Sequence, residues 1–168
     1  MKTEAIIYTS NTGHTAAYAK LLGEKTDLPV YTLSEAKKQL EPGAPIVYLG
    51  WLFANSIKGY KKAAKKYTVC AVCGVGLCET GTLLEEVRKA NALADSIPLF
   101  TLQGGMDRTK LHGVYKMMIN MLTKGLSEKA QRSEQEEKML ILLQEGGNYV
   151  SEENLFAVLD WCQNERNT

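Results

Sequence analysis

The stretch "YTSNTGHTAAYA", residues 8–19, decides how the rest of this chain is interpreted. It joins an apolar segment, "AIIYT", to a segment with the spacing of an amphipathic helix. Between them, residues 9–15 are all polar or glycine, and none carries a full charge. A strand that runs into a helix through such a loop brings free backbone N–H groups and the positive end of the helix dipole together.

These properties suit the loop to binding a phosphate group. Hydroxyl and amide donors can hold a single phosphate without lysine, and a glycine lets the backbone approach the ligand closely. The alternative is a capped turn, because Ser, Thr and Asn also favour helix starts. Capping requires one or two such residues, whereas this loop has six in succession. The predicted phosphate-binding residues are Ser10, Asn11, Thr12, Gly13, His14 and Thr15.

Apolar segments alternate with amphipathic ones along most of the chain. The predicted strands are residues 4–9, 29–33, 45–50, 68–74 and 97–103, and the predicted helices are residues 13–25, 34–40, 56–66, 80–95 and 109–126. This alternation predicts an α/β protein with a five-stranded parallel sheet between two helical layers. The expected strand order is 2-1-3-4-5, which places a ligand at the carboxyl ends of the first and third strands.

The last forty residues contain further helical patterns. Residues 151–165, "SEENLFAVLDWCQNE", begin with a serine and an acidic first turn and repeat apolar residues at helical spacing. The segment "EEKMLILLQEG" fits a helix or a strand, and we favour a helix. Because no repeat or low-complexity linker divides the chain, we expect one domain over residues 1–168 with an extra C-terminal helix.

Composition and charge exclude several classes of protein. The formal net charge is +1, which gives no electrostatic reason to expect a nucleic-acid partner. The longest apolar runs, "PIVYLGWLFA" and "VCAVCGVGL", are too short to span a bilayer, and the N-terminus lacks the layout of a signal peptide. These features predict a cytoplasmic protein.

The cluster "CAVCGVGLC" contains Cys70, Cys73 and Cys78 and raises the alternative of a metal or iron–sulfur site. It coincides with a predicted buried strand, on which Cys70 and Cys73 point to opposite faces. The fourth cysteine, Cys162, is distant in sequence, and both histidines lie elsewhere. Reduced core thiols are therefore the favoured interpretation, and we assign neither a metal ligand nor a catalytic residue.

The loop after the first strand resembles the phosphate loop of flavodoxins, whose pattern is Ser/Thr-x-Thr-Gly-x-Thr. The chain matches every specified position of this pattern between Ser10 and Thr15. It lacks the Gly-Lys-Ser/Thr of a Walker A loop, and its first strand is not followed by the G-x-G-x-x-G of dinucleotide-binding proteins. The resemblance implies a flavodoxin-like three-layer α/β/α sandwich and a non-covalently bound FMN cofactor.

The resemblance also implies two loops that flank the flavin ring, residues 51–56, "WLFANS", and residues 73–78, "CGVGLC". In the first loop, two aromatic side chains are candidates to stack on the flavin, with core packing as the alternative. Asn55 takes the place of a flavodoxin glycine whose peptide flips on reduction, and asparagine tolerates positive φ. In the second loop, backbone N–H groups are candidates to bind the pyrimidine side, with a plain tight turn as the alternative. The candidate flanking residues are Trp51, Leu52, Phe53, Ala54, Asn55, Gly74, Val75 and Gly76.

Beyond these loops, the chain resembles the flavodoxin-type, menaquinone-dependent protoporphyrinogen oxidase branch. The similarity lies in "GGMDRTKLHGVYKMMINMLTK", a glycine-rich step before a basic, apolar helix, and in the closing "GGNYVSEENLFAVLDWCQ". Members of this branch have an insertion near the last strands, whereas "PLFTLQGG" is uninterrupted here. The resemblance implies protoporphyrinogen IX as a porphyrin-type substrate and a quinone as the electron acceptor.

We therefore expect an FMN-binding redox protein, either an electron carrier or a small flavin-dependent oxidoreductase. The alternatives are a protoporphyrinogen IX dehydrogenase with a quinone acceptor and a flavin-free interaction module on the same fold. A carrier needs a redox partner protein, and the lysine-rich residues 58–67 are a candidate docking surface for it. The methionine-rich helix at residues 109–126 is a candidate for peripheral membrane contact, although we favour its burial under the C-terminal helices.

Overall fold

A central, mostly parallel sheet organises the computed structural model, which describes residues 2–167. The strands are β1 (Ala5–Thr9), β2 (Val30–Thr32), β3 (Pro45–Phe53), β4 (Ser56–Ile57), β5 (Thr68–Gly76), β6 (Leu99–Gln103), β7 (Gly105–Met106) and β8 (Gly147–Asn148). Five of them pair in parallel in the order β2-β1-β3-β5-β6. This order confirms the 2-1-3-4-5 arrangement predicted for the five main strands.

Helices cover both faces of the sheet. They are α1 (His14–Thr26), α2 (Ala36–Gln39), α3 (Tyr60–Ala64), α4 (Leu84–Asn91), α5 (Gly113–Ser127), α6 (Glu134–Glu145) and α7 (Phe156–Asn167). Helices α1 and α7 pack on one face, and α2, α3 and α4 pack on the other. The result is the predicted three-layer α/β/α sandwich of the flavodoxin-like type.

The apolar strands form this sheet because both of its faces are buried. Neighbouring residues of β1 point to opposite faces, so that Ile6 joins the core under α1 and α7 while Ile7 joins the core under α2, α3 and α4. Both side chains are fully buried. Burying a side chain of this size stabilises the folded state by roughly 1.5–3 kcal/mol, which anchors β1 and the loop that follows it.

Two strands run further than their sequences predict. We placed their ends at Gly50 and Gly74, but β3 continues to Phe53 and β5 to Gly76. Strand β3 then folds back into β4, which removes the first turn from the helix predicted at residues 56–66. Gly50 permits this fold because a Cβ atom there would lie 2.5 Å from the Ile57 side chain. The glycines therefore mark close packing rather than strand ends.

An insertion follows the last parallel strand. Strands β7 and β8 pair antiparallel, and the two helices α5 and α6 lie between them. We call residues 105–148 the α5–α6 hairpin. The helix favoured for "EEKMLILLQEG" is confirmed as α6, which begins with a capping box between Ser133 and Glu136. The chain thus does carry an insertion near its last strand, but after β6 rather than within it.

Within residues 2–167, every helix falls short of the length and apolar character needed to cross a bilayer.

Candidate functional site

The carboxyl ends of the central strands lie side by side at one edge of the sheet. Thr9 of β1 pairs with Gly50 of β3, Gly50 pairs with Gly74 of β5, and Gly74 pairs with Thr101 of β6. The residues that follow on β1, β3 and β5 therefore converge at one point. This is the switch point of the strand order, where doubly wound folds bind their ligands.

The predicted phosphate loop links β1 to α1 at this point. Its Gly13 has a left-handed φ of 107° and is the last residue before the helix, which has no side-chain cap among the described residues. The Gly13 N–H donates a hydrogen bond of 3.2 Å to the Ser10 Oγ. The Ser10 hydroxyl therefore stabilises the turn, as the capped-turn alternative expects, while no side chain among the described residues caps the first turn of α1.

The loop supplies hydroxyl and imidazole groups without a net charge of its own. The Thr12 Oγ1 lies 3.1 Å from the His14 Nδ1, and Thr15 is buried at 1% exposure. Burial lowers the pKa of His14 below its ordinary value of 6.5, against a raising contribution from a hydrogen bond with the Gly147 backbone. His14 is therefore a neutral imidazole near pH 7, able to donate one N–H bond.

Lys110 brings a positive charge to the loop that sequence reasoning missed. Its Nζ lies 3.9 Å from the position that a Cβ atom would take at Gly13. The same Nζ is 3.3 Å from the Asp107 Oδ2. Hydrogen bonds from Thr109 first, and also the interaction with Lys110, lower the pKa of Asp107. Because ninety-six positions separate Lys110 from His14 in the sequence, only the fold of the insertion could reveal this neighbour.

The predicted flavin-flanking loop at residues 51–56 is mostly strand. Trp51 and Phe53 lie on β3, two residues apart and hence on the same side, with ring centroids 6.1 Å from each other. Tyr115 of α5 contacts both rings edge-on, at 4.8 Å from Trp51 and 5.4 Å from Phe53. The Lys58 Nζ lies 5.3 Å from the Phe53 centroid. An aromatic cluster thus stands beside the phosphate loop, and Tyr115 completes it.

A two-residue turn connects β3 to β4. Ala54 and Asn55 both have positive φ, 47° and 62°, a conformation that asparagine tolerates better than most residues. Buried Asn91 of α4 holds the turn: its Nδ2 donates to the Asn55 carbonyl and its Oδ1 accepts from the Ile57 N–H, each at 2.8 Å. A flip of the Asn55 peptide would break the first of these bonds. Sequence reasoning missed Asn91, because its position in α4 has no local signal.

The second predicted loop, residues 73–78, is a strand for most of its length. Gly74 to Gly76 belong to β5 and pair with Thr101 to Gln103 of β6, so the tight-turn alternative is wrong. Leu52 of β3 packs flat on both glycines, and Cβ atoms at Gly74 and Gly76 would lie 3.1 Å from it. The absence of side chains therefore serves packing against Leu52. Binding of a pyrimidine by this segment stays a prediction.

The loop and the aromatic cluster enclose a small cavity of about 70 Å³. Val75 and Gly76 form its floor, and Leu111, Tyr115 and Ile119 of the α5–α6 hairpin also line it. Pockets that hold drug-sized ligands typically measure about 300 Å³ or more. The polar end of the site therefore offers donors suited to one phosphate, whereas the apolar end, with Tyr115 against Trp51 and Phe53, is smaller than a drug-sized ligand requires.

The other side of α5 is an exposed apolar surface. We expected the C-terminal helices to bury this helix, and that expectation is wrong. Ile119 packs with Leu143 of α6, but Val114, Met117 and Met121 are 62%, 57% and 67% exposed. Exposed apolar patches of this kind mark surfaces that contact partners or membranes.

The cysteines do not gather into a metal site. Within residues 2–167, no three His, Cys, Asp or Glu residues are placed to hold a metal ion. Cys73 is fully buried in the core under α1 and α7, and burial raises its pKa. Cys70 lies at a bulge of β5 opposite Ile46 and Val47. Burial also raises the pKa values of Cys70 and Cys78.

Fold and site together define an α/β protein of the flavodoxin-like fold class, with a polar loop and an aromatic cluster at the switch point. Comparisons of the chain with models of protein families, with curated proteins and with solved structures gave no match. We therefore infer the function from the chemistry of this site.

Proposed function

We propose that this protein is an FMN-binding redox protein of the cytoplasm, acting as an electron carrier or a small flavin-dependent oxidoreductase. The observation that carries the proposal is the uncapped start of α1, where Ser10, Thr12 and Thr15 supply hydroxyls around Gly13. Such a loop at the switch point of this fold is suited to one phosphate group. Lys110 adds a positive charge beside Gly13, in an ion pair with Asp107, that would strengthen binding of a phosphate dianion.

In this proposal, each part of the site has a separate task. The loop and Lys110 hold the phosphate, and neutral His14, whose one N–H bonds the Gly147 backbone, holds the loop to the α5–α6 hairpin without adding charge. Trp51 and Phe53 offer apolar faces to the ring, in the space that Tyr115 now fills. Bound FMN would supply the electron chemistry, while these residues bind and orient it and exclude water.

Uptake of FMN tests the proposal. The full chain is mixed with excess FMN, separated from free ligand by gel filtration and examined by absorbance. We expect a flavin spectrum at about one FMN per chain that bleaches on anaerobic photoreduction and returns with an added acceptor. A colourless protein after this treatment would contradict the flavin proposal and favour a flavin-free interaction module, for which the small volume of the cavity, about 70 Å³, is the supporting observation.

A protoporphyrinogen IX dehydrogenase with a quinone acceptor is the second candidate. It is supported by the position of α5, which lines the cavity with Tyr115 and exposes Met117 and Met121 on its other side. This exposed face, with Lys116 and Lys124 beside it, suits peripheral contact with an anionic membrane that contains quinone. Oxidation of protoporphyrinogen IX by the FMN-loaded protein, dependent on a quinone, would distinguish an enzyme from a carrier that reacts with a redox partner protein.

A further inference from the structure

A second cleft opens beside the phosphate loop, on the β2 side of β1. It is bounded by the loop, by the end of β2 and by residues of α2 and α3, and its volume is about 620 Å³. Trp51 and Phe53 do not line it, because they lie on β3 on the opposite side of β1. The loop therefore separates the small aromatic cavity from a much larger cleft, and residues Ser10 to Thr12 face both.

Positive charge dominates this basic cleft. Its lining includes the lysines Lys37, Lys62, Lys66 and Lys110, and none of its lining residues is an aspartate or a glutamate. Asp107 reaches it only indirectly, through its ion pair with Lys110. Several ammonium groups around one concave surface focus positive potential there and raise the local concentration of anions.

Tyr67 also lines the cleft, and its hydroxyl is buried without a partner among the described residues. Tyr67 is 4% exposed, and its phenol oxygen has no hydrogen-bond partner within residues 2–167. Buried polar groups are almost always paired, so this oxygen indicates an acceptor that a ligand would provide. The Lys66 Nζ lies 5.3 Å from the centre of the Tyr67 ring and donates to the Lys37 carbonyl at 3.4 Å. Movement of this flexible side chain onto an anion would open the ring to the cleft.

We propose that the basic cleft is a second binding site for a phosphate-bearing ligand, distinct from the site on the phosphate loop. Lys37, Lys62 and Lys66 neutralise the phosphate oxygens, and the Tyr67 hydroxyl donates to one of them. The ligand is either a free diphosphate or the second phosphate of a dinucleotide flavin whose first phosphate lies on the loop. The proposal goes beyond FMN binding and holds whether or not a flavin occupies the aromatic side.

Calorimetric titration of the flavin-free full chain with inorganic pyrophosphate and with FAD tests this proposal. The variants are Lys62→Gln/Lys66→Gln, Tyr67→Phe and, as a matched control, Lys89→Gln on the exposed side of α4. We expect affinity to fall at least about tenfold in the lysine variant and severalfold in Tyr67→Phe, with no change in Lys89→Gln. The melting temperature of Tyr67→Phe should not fall, since the change removes an unpaired buried hydroxyl.

The ligand that shows these losses identifies the source of the phosphate. Losses for FAD alone would assign a dinucleotide, and losses for pyrophosphate would assign a free diphosphate. Absence of binding of both ligands, or equal binding in all variants, would overturn the proposal. Losses confined to the lysine variant would also overturn it, because general attraction of anions explains them without Tyr67. Pyrophosphate carries no flavin, so the result of its titration is independent of whether FMN binds.

Discussion

The sandwich body and the α5–α6 hairpin contribute to the same site but are held together very differently. Within the described residues, each face of the sheet carries a core cluster of thirteen buried residues, whereas the cluster that fixes the hairpin has four: Met106, Leu111, Ile119 and Leu143. The phosphate loop belongs to the body, through β1 and α1. Tyr115 and Lys110, which complete the site, belong to the hairpin side.

This difference gives the site one part whose geometry is fixed, the polar loop, and one part that can move, the hairpin. The polar loop is anchored on β1, whose Ile6 and Ile7 are fully buried, so its geometry is set before a ligand arrives. The α5–α6 hairpin, which places Tyr115 beside Trp51 and Phe53, is fixed by a cluster of only four buried residues. Segments with few buried apolar contacts open at low free-energy cost. We therefore expect a ligand to meet a fixed anion site first and to displace the hairpin second.

The largest loss of stability should come from removing one buried leucine from the cluster of the hairpin or from the core of the body. Leu143→Ala removes a fully buried side chain of the hairpin, and Leu22→Ala removes one of the body. Each change costs about 2–5 kcal/mol, but the first should be felt locally and the second globally. By hydrogen exchange, Leu143→Ala should speed opening of residues 113–127 by roughly thirtyfold or more while β1 and β3 are unaffected. Equal acceleration throughout the chain would show that hairpin and body unfold as one unit.

Two asparagine variants compare the stability lost with a buried side-chain amide of the sandwich body and with an exposed one of the hairpin. Asn91→Ala removes the buried amide that holds the Asn55 carbonyl and the Ile57 N–H, which leaves these groups unpaired. We expect the free energy of unfolding to fall by about 2–3 kcal/mol. Asn120→Ala on the exposed side of α5 is the matched control and should cost under about 0.5 kcal/mol. Denaturant unfolding measures both, and equal losses would contradict the role given to Asn91.

Tyr115 of the α5–α6 hairpin fills the space beside Trp51 and Phe53 in which we propose that the flavin ring binds. Its replacement in Tyr115→Ala removes edge contacts to Trp51 and Phe53, each worth about 0.5–1.5 kcal/mol. Apparent FMN affinity should therefore rise about fivefold or more, since closure no longer competes with the ring. Met117→Ala, on the outer face of α5, is the control and should leave affinity unchanged. Weaker FMN binding by Tyr115→Ala would show that this ring contacts the flavin rather than blocking it.

The smallest effect concerns His14, which joins the loop to the hairpin through the Gly147 backbone. Burial lowers the pKa of His14 in the folded state below its ordinary value of 6.5, so the unfolded chain binds more protons under acidic conditions. Stability should consequently fall as the pH decreases below about 6.5. In His14→Gln the melting temperature should depend less on pH between about 7.5 and 5 than in the unmodified chain. An unchanged slope in His14→Gln would contradict this assignment.

The sequence predicted the body of the molecule well because its signals are local. Apolar alternation located five strands, and the polar run before α1 located the loop. The predicted ends of β3 and β5 were wrong because Gly50, Gly74 and Gly76 are residues that usually indicate turns. Here the close packing of Ile57 and Leu52 against the strands requires glycine at these positions.

The contribution of the hairpin could not be predicted in the same way. Lys110 is about one hundred residues from the loop that it approaches, and Tyr115 is 64 residues from Trp51, which it contacts. The placement of both depends on how β7 and β8 pair. The exposure of Met117 and Met121 has the same origin, because it depends on which side of α5 faces α6. Apolar periodicity shows that such a helix has a buried side, but not what covers the remaining apolar residues.

The most direct test of the central claim is a fluorescence titration that compares FMN with riboflavin, which lacks the phosphate. If the polar loop grips the phosphate, FMN should bind roughly a hundredfold or more tightly than riboflavin, since two charge-assisted hydrogen bonds are worth about 3 kcal/mol or more. The Ser10→Ala/Thr12→Val variant should reduce this advantage, whereas Ser96→Ala, far from the loop at the start of β6, should preserve it. Equal affinity for FMN and riboflavin, or no binding of either, would contradict the account.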